Sequence, residues 1–333
     1  MEVYLILTAV VIGLFAFGSI IGSFLNVVAL RGLSGESIVL PPSKCPKCEN
    51  KLKPWHNIPI LSYLFLRGKC AFCGEKISIQ YPIVEAIAGI LAVATFLKFQ
   101  LALSAIFIYI VLCILLVMSV TDIREKVILT GHAWALIIVS LLSNIAGTIY
   151  LFVKLNGHDK IEYSKELILN LPVVDAIFGL ILGVVIMEAL AGIGHLIVKR
   201  RAFGVGDTFI AAGLGALFGT KGIIIALILS IAIQVTLFIP KFIKKLAEQK
   251  DYQTIAALTT FITLAVIASY ILYNHYTTLV QQLLLLVPLA ATGIWSCVRI
   301  ILNLKSKNET DSITVMPFGP AMAIAAALVL FLI

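Results

Sequence analysis

Residues 101–122 read Leu101-Ala-Leu-Ser-Ala-Ile-Phe-Ile-Tyr-Ile-Val-Leu-Cys-Ile-Leu-Leu-Val-Met-Ser-Val-Thr-Asp122. Twenty-one residues pass without a charge before the run meets Asp122. A helix needs roughly 20 mostly apolar residues to cross the hydrocarbon of a bilayer, so this stretch reads as a membrane span that ends on an acid. Similar runs recur from one end of the chain to the other, at about 4–30, 82–99, 101–121, 132–153, 173–198, 208–219, 222–240, 253–274, 279–303 and 315–333. The expected fold is therefore all-α and polytopic, with about ten transmembrane helices. The period-two alternation of a membrane barrel is absent, and helices are the other structure that satisfies its own backbone in lipid. The short 208–219 piece is expected as half of a broken helix.

Composition agrees. Of 333 residues, 61% are hydrophobic and 13% charged, with a mean hydropathy of +1.08. A soluble domain carries roughly 25% charged residues, so a water-soluble enzyme, a nucleic-acid regulator and a disordered scaffold are excluded. The net charge of +8 is explained by where the basic residues fall. Loops on one side of the expected spans hold twenty Lys and Arg, and loops on the other hold five. The positive-inside rule makes the first set cytoplasmic and puts both termini outside. The remaining attraction is to anionic lipid rather than nucleic acid. The first span lacks the basic n-region of a secretory signal, so it reads as a helix that stays. The chain contains no internal repeat and no low-complexity tract.

The polar segment 31–80 follows the first span and holds four of the six cysteines. Cys45-Pro-Lys-Cys48 and Cys70-Ala-Phe-Cys73 form two C-x2-C pairs, the pattern of a tetrahedral zinc site. Two disulfides are the rival reading, which a reducing cytoplasm disfavours. A zinc ion with four protein ligands has no open position, so its role is structural. Cys113 and Cys297 lie inside apolar runs and read as small core residues.

Two aspartates stand at the membrane edge. Asp122 ends its span, and Asp207 follows Phe203-Gly204-Val-Gly206 where a basic loop gives way to an apolar helix. Gly204 and Gly206 allow close backbone approach beside the acid. Ionisable groups in a span are costly and mark functional sites by default. Two carboxyls brought together share a proton, so one activates water while the other polarises a scissile carbonyl. On spacing alone the alternatives stay open: Asp122 as a solvated helix end, Asp207 as an N-cap, or a proton-coupled transporter that also uses Glu85 and Glu188.

The motifs together resemble the type IV prepilin peptidases, the leader peptidases of bacterial pilus and type II secretion systems. The likeness rests on Gly22-Ser-Phe-Leu-Asn26 with Arg31, on the cysteine pairs, on Asn57-Ile-Pro59, and on Tyr81-Pro82-Ile-Val-Glu85. It continues with Asp122 and Ile128, with Phe203-Gly-Val-Gly206-Asp207, and with Pro317-Phe-Gly319-Pro320. They occur in the family's order over about nine-tenths of the chain.

The resemblance implies a membrane aspartic endopeptidase with Asp122 and Asp207 as its acid pair and Gly204 and Gly206 in the active-site loop. It implies zinc on Cys45, Cys48, Cys70 and Cys73, and structural or substrate support from Asn26, Glu85, Pro317 and Gly319. The implied substrates are prepilins or pseudopilins, cut at the cytoplasmic face of a bacterial inner membrane. S-adenosylmethionine is the implied donor for N-methylation of the new terminus. The implied division is 1–30 as a first transmembrane helix, 31–80 as a cytoplasmic zinc module, and 81–333 as the peptidase domain. The rival enzyme reading is a different G-x-G-D intramembrane aspartic protease, of presenilin or signal-peptide-peptidase type, against which the tetracysteine loop and Asn57-Ile-Pro59 argue. This chain departs from the family pattern in three places. Arg200-Arg201 stand where an acid usually precedes the G-x-G-D, Phe209 stands where a Lys usually follows, and two extra helices are expected over about 253–303.

Overall fold

The computed structural model describes residues 2–100, 102–155, 171–198, 203–248, 250–274 and 317–332, with isolated positions between 288 and 295. Its main helices are α1 (Glu2–Ser34), α2 (Leu61–Phe65), α3 (Gln80–Phe99), α4 (Leu103–Glu125) and α5 (Thr130–Leu155). They are followed by α6 (Pro172–Val198), α7 (Val205–Glu248), α8 (Tyr252–Asn274) and α9 (Gly319–Leu332). No strand occurs among the described residues, where pairing is limited to two isolated bridges, Lys44 with Lys51 and Lys69 with Lys76. Among the described residues, six helices are long and apolar enough to cross a membrane: α1, α3, α4, α5, α6 and α7. The protein is a multi-pass membrane protein.

Most expected spans coincide with these helices to within a few residues. The pieces 208–219 and 222–240 both lie in α7, which is broken at Gly219 (φ 70°, ψ −168°), in keeping with the expected half-helix. Only glycine takes that conformation readily. A break frees backbone groups, which lipid cannot satisfy. Neighbouring side chains satisfy them here. Asn144 of α5 donates to the carbonyls of Ala216 (2.8 Å) and Leu217 (3.3 Å), and Asp175 of α6 accepts from the Thr220 amide (3.1 Å) and hydroxyl (2.7 Å). The expected span 253–274 corresponds to α8, and 315–333 to the 14-residue α9. The span 279–303 lies outside the described helices.

The chain forms two compact units. The first holds α1–α5, α6 up to Gly192, α7 up to Ile231, and α9. In it α1 and α3 cross backbone to backbone, and a Cβ on Gly22 would lie 2.7 Å from the Glu85 Cα. Small residues permit this close approach, which supplies packing between helices in lipid. Ala29, Val84, Ala88, Leu116, Val117 and Val120 then form a shared core among α1, α3 and α4. In the second unit Asp251 caps α8, accepting from the Thr254 amide (3.1 Å) and hydroxyl (2.7 Å).

Candidate active site and cysteine cluster

α4 stays helical to its C-terminal end because nothing in residues 103–125 interrupts it. It stops at Lys126, which is left-handed (φ 55°) and returns its amide to the Asp122 carbonyl at 3.0 Å. Asp122 is thereby fixed in the last turn and is buried. Its Oδ2 accepts the amide of Gly319, the first residue of α9, at 2.8 Å. A Cβ on residue 319 would sit 2.7 Å from that same oxygen, so the contact requires glycine.

Asp207 lies in the first turn of α7 and is also buried. Its Oδ2 accepts the Gly204 amide at 3.0 Å, and its own amide donates to the Gly204 carbonyl at 3.2 Å. The two glycines divide the work. Gly204 supplies the donor, while Gly206 is pressed against the loop that follows Asp122, where a Cβ would meet the Ile128 Cβ at 2.7 Å.

Both carboxyls are therefore held in one way, by a backbone N–H of glycine on Oδ2. In each case the glycine follows a phenylalanine, and Phe203 and Phe318 stack edge to face with centroids 5.2 Å apart. This ring pair ties the turn under Asp207 to the turn under Asp122. The two carboxyls lie within electrostatic reach of each other. Pro317 stands immediately before this turn and is partly buried.

Of the other residues singled out by sequence, Glu85 and Asn26 make their contacts elsewhere. The buried Glu85 accepts the Ile60 amide at 2.7 Å, next to Asn57-Ile-Pro59. Ile60 has a positive φ (61°, with ψ −51°), an uncommon state for a β-branched residue, so this bond holds a strained turn. Asn26 is fully buried and reaches the carbonyls of Gly22 (3.3 Å) and Tyr81 (3.4 Å). Glu188 accepts the hydroxyl of Thr208, the residue after Asp207, at 2.9 Å. Phe209 stacks on Trp134, with centroids 5.6 Å apart. Arg200 and Arg201 lie outside the described residues.

Sequence reasoning missed the Phe203–Phe318 pair. The repeated Phe-Gly dipeptide beside the two motifs is the signal that could have found it.

The four cysteines do come together. Their sulfurs lie within 4.8 Å of one another, all are free thiols, and Cys45 and Cys73 are 3.9 Å apart. Tetrahedral bonds of about 2.3 Å place sulfurs roughly 3.8 Å apart, so this donor set fits a metal ion. The two pairs are built alike. Cys45 takes the Asn50 carbonyl at 3.1 Å and receives the Glu49 amide at 2.9 Å; Cys70 takes the Glu75 carbonyl at 2.7 Å and receives the Gly74 amide at 3.0 Å. Glu49 (φ 57°) and Gly74 (φ 72°) turn each knuckle through the left-handed region.

A Lys47–Glu75 ion pair joins the two knuckles. The Lys47 ammonium holds the Glu75 carboxyl below its usual range, and Glu75 raises Lys47 in return. Backbone N–H groups of Cys48 and then Lys47 bring the Cys45 thiol down to about 7, while burial and the neighbouring thiols push Cys73 up to about 11. Cys113 is buried within α4, as expected of a core residue.

Comparison with known proteins adds three kinds of finding. The family model described as Bacterial Peptidase A24 N-terminal domain matches residues 16–99. A prepilin leader peptidase/N-methyltransferase of Myxococcus xanthus (strain DK1622) is 31% identical over 203 residues, 61% of this chain and 54% of that protein. One of the same name from Xanthomonas campestris pv. campestris is 30% identical over 236 residues, 64% of this chain and 75% of that protein. A Bacillus subtilis (strain 168) protein of that name is 39% identical over 115 residues, 34% of this chain and 46% of that protein. The chain thus spans about half the length of the Myxococcus and Bacillus relatives and three quarters of the Xanthomonas one. No solved structure matches.

Proposed function

The chain belongs to the prepilin leader peptidase/N-methyltransferase family, and on that premise we propose that it is a membrane aspartic endopeptidase. Its substrates are type IV prepilins or pseudopilins. It removes their basic leader at the cytoplasmic face of a bacterial inner membrane, with Asp122 and Asp207 as the acid pair. The observation that carries this reading is the matched seating of the two carboxyls, each with Oδ2 on a glycine amide. With Oδ2 so engaged, Oδ1 of each residue is the atom left to hold a shared proton and a water between them. One carboxylate takes a proton from the water as it attacks the scissile carbonyl, and the other, protonated, donates to the carbonyl oxygen. As the gem-diol collapses and the C–N bond breaks, the proton taken from water passes to the leaving amine and the gem-diol proton returns to the second carboxyl. The seating costs no reorganisation during reaction, which is how fixed backbone donors contribute to rate.

Substrate geometry fits the reading. A positively charged leader stays in the cytoplasm while its apolar stem lies in the bilayer, which brings the junction to the depth of the helix ends. Cys45, Cys48, Cys70 and Cys73 bind zinc in a closed set that shapes the polar segment rather than the chemistry. The relatives' name also includes N-methyltransferase, so S-adenosylmethionine is the expected second substrate, donating a methyl group to the new amino terminus. Phe209 on Trp134 replaces a charged contact of the family pattern with an aromatic one, which points to an altered approach for the leader.

The test is direct. Full-length protein in liposomes is given a prepilin and labelled S-adenosylmethionine, and the products are weighed by mass spectrometry. The expected result is release of the intact basic leader and a methylated stem. A substrate that emerges uncut refutes the peptidase reading.

A further inference from the structure

Where the cysteine segment re-enters the membrane helices, one side chain touches both neighbours. Gln80, the first residue of α3, accepts the Arg124 Nε at 2.6 Å and donates its amide nitrogen to the Asn26 Oδ1 at 3.3 Å. Arg124 stands two residues after Asp122, in the same last turn of α4. Asn26 is fully buried in α1 and donates to Gly22 and Tyr81. The orientations are forced by chemistry. Arginine can only donate, so the Gln80 oxygen must face Arg124. The Gln80 amide nitrogen then faces Asn26, whose oxygen must accept, leaving the Asn26 nitrogen for the two carbonyls. Every polar atom in the row has one role, and reversing any amide breaks a bond.

We propose that Gln80 is a positioning residue, holding the Asp122 helix end in register with the exit of the cysteine segment through Arg124. Its own amide is received by the Ser78 hydroxyl at 3.3 Å, so the last residues of the segment are part of the same chain of bonds. A displaced cysteine segment pulls on Gln80. Gln80 in turn pulls on the helix turn that carries Asp122, whose seat on Gly319 tolerates little movement. The inference rests on Asp122 being one of the catalytic acids.

The variants are Gln80→Leu, Gln80→Glu, Arg124→Met and the double variant Gln80→Leu/Arg124→Met, in the full chain in liposomes. Leader cleavage is measured as kcat and KM per active site, and bound metal per chain is counted alongside. Loss of a positioning contact of this kind costs about tenfold or more in kcat, because small misplacements of reacting groups are expensive. Gln80→Leu is expected to lose about that much kcat, with KM within about twofold and metal content unchanged. Gln80→Glu keeps an acceptor for Arg124 and gives up the donor to Asn26 Oδ1, so it isolates the Arg124 contact and is expected to retain kcat within about threefold. Arg124→Met removes the donor to Gln80 and is expected to match Gln80→Leu, and the double variant to fall no further.

A Gln80→Leu enzyme with parental kcat overturns the inference, as do losses that multiply in the double variant. Should Gln80→Leu fail to insert, Arg124→Met decides alone, and parental kcat there overturns it too. Asp122→Asn run in parallel separates the two levels. Full cleavage by that variant removes the peptidase reading itself, whereas its inactivity together with an active Gln80→Leu removes only the role of Gln80.

Discussion

The amide of Gly319 donates to Asp122 Oδ2 across 2.8 Å, joining residues 197 apart in the chain. A side chain at 319 would begin 2.7 Å from that oxygen. The last helix thus reaches the acid with bare backbone, and it can do so only as glycine.

Gly319→Ala should therefore displace Asp122 and lower kcat for leader cleavage by about a hundredfold, the scale at which misplacement of about 1 Å acts. Gly204→Ala is the control. Its Cβ would lie 3.5 Å from Asp207 Oδ2, an ordinary contact, and its φ lies outside the left-handed region. It should retain activity within about fivefold. Steady-state cleavage by both variants checks the contrast, and equal losses would show that the glycines are not distinguished by crowding.

Removing Cys45 and Cys70 together, as serines, should abolish metal binding, since one ligand leaves each knuckle. In the parent protein, metal uptake should weaken as pH falls, because all four ligands bind as thiolates and protons compete with the metal for each of them. Elemental analysis across a pH series measures both. About one zinc per chain in the parent is the expected stoichiometry. Retained metal in the double serine variant would count against the cluster.

Glu85→Ala should release the strained turn at Ile60, which depends on one 2.7 Å bond to that carboxylate. An amide left without its acceptor costs about 1–3 kcal/mol locally. Glu85→Gln keeps an acceptor oxygen and should lose less. Hydrogen exchange at Ile60 and limited proteolysis across residues 54–66 report the release. Unchanged protection in Glu85→Ala would mean that the turn is held by its own packing.

Asp175→Ala should destabilise the break in α7, because Asp175 takes both the amide and the hydroxyl of Thr220. Loss of a cap of this type costs about 1 kcal/mol in water, and in lipid the freed amide has no solvent to turn to. Thermal unfolding in one detergent should show a lower midpoint for Asp175→Ala and a smaller change for Asp175→Asn.

How much of this was legible in the sequence follows from which forces are local. The uncharged run before Asp122 announces its helix, because hydropathy over about 20 residues is a property of the segment alone. The cysteine spacing announces a cluster for the same reason, since each knuckle closes within a few residues. The break in α7 was half legible. The short 208–219 piece reads as half of a broken helix, but what satisfies the break comes from Asp175 and Asn144 on other helices. The partners of Glu85 and Asn26 were not legible at all. Each bonds to a residue distant in the chain, Ile60 or Gln80, and a carboxylate or amide in a span looks the same whether it binds substrate or backbone. The seat of Asp122 was legible only as a motif. Pro317-Phe-Gly319-Pro320 pointed to the region, and the geometry shows that its glycine amide touches the acid.

The central claim is that two carboxyls act as one unit. Asp122→Asn, Asp207→Asn and the double variant, reconstituted in liposomes with a prepilin, should each lose leader cleavage while inserting normally and keeping their metal. The double variant should be no worse than either single one, because removing one member of a shared-proton pair already disables the other. Processing at the parental rate by either single variant would contradict the account.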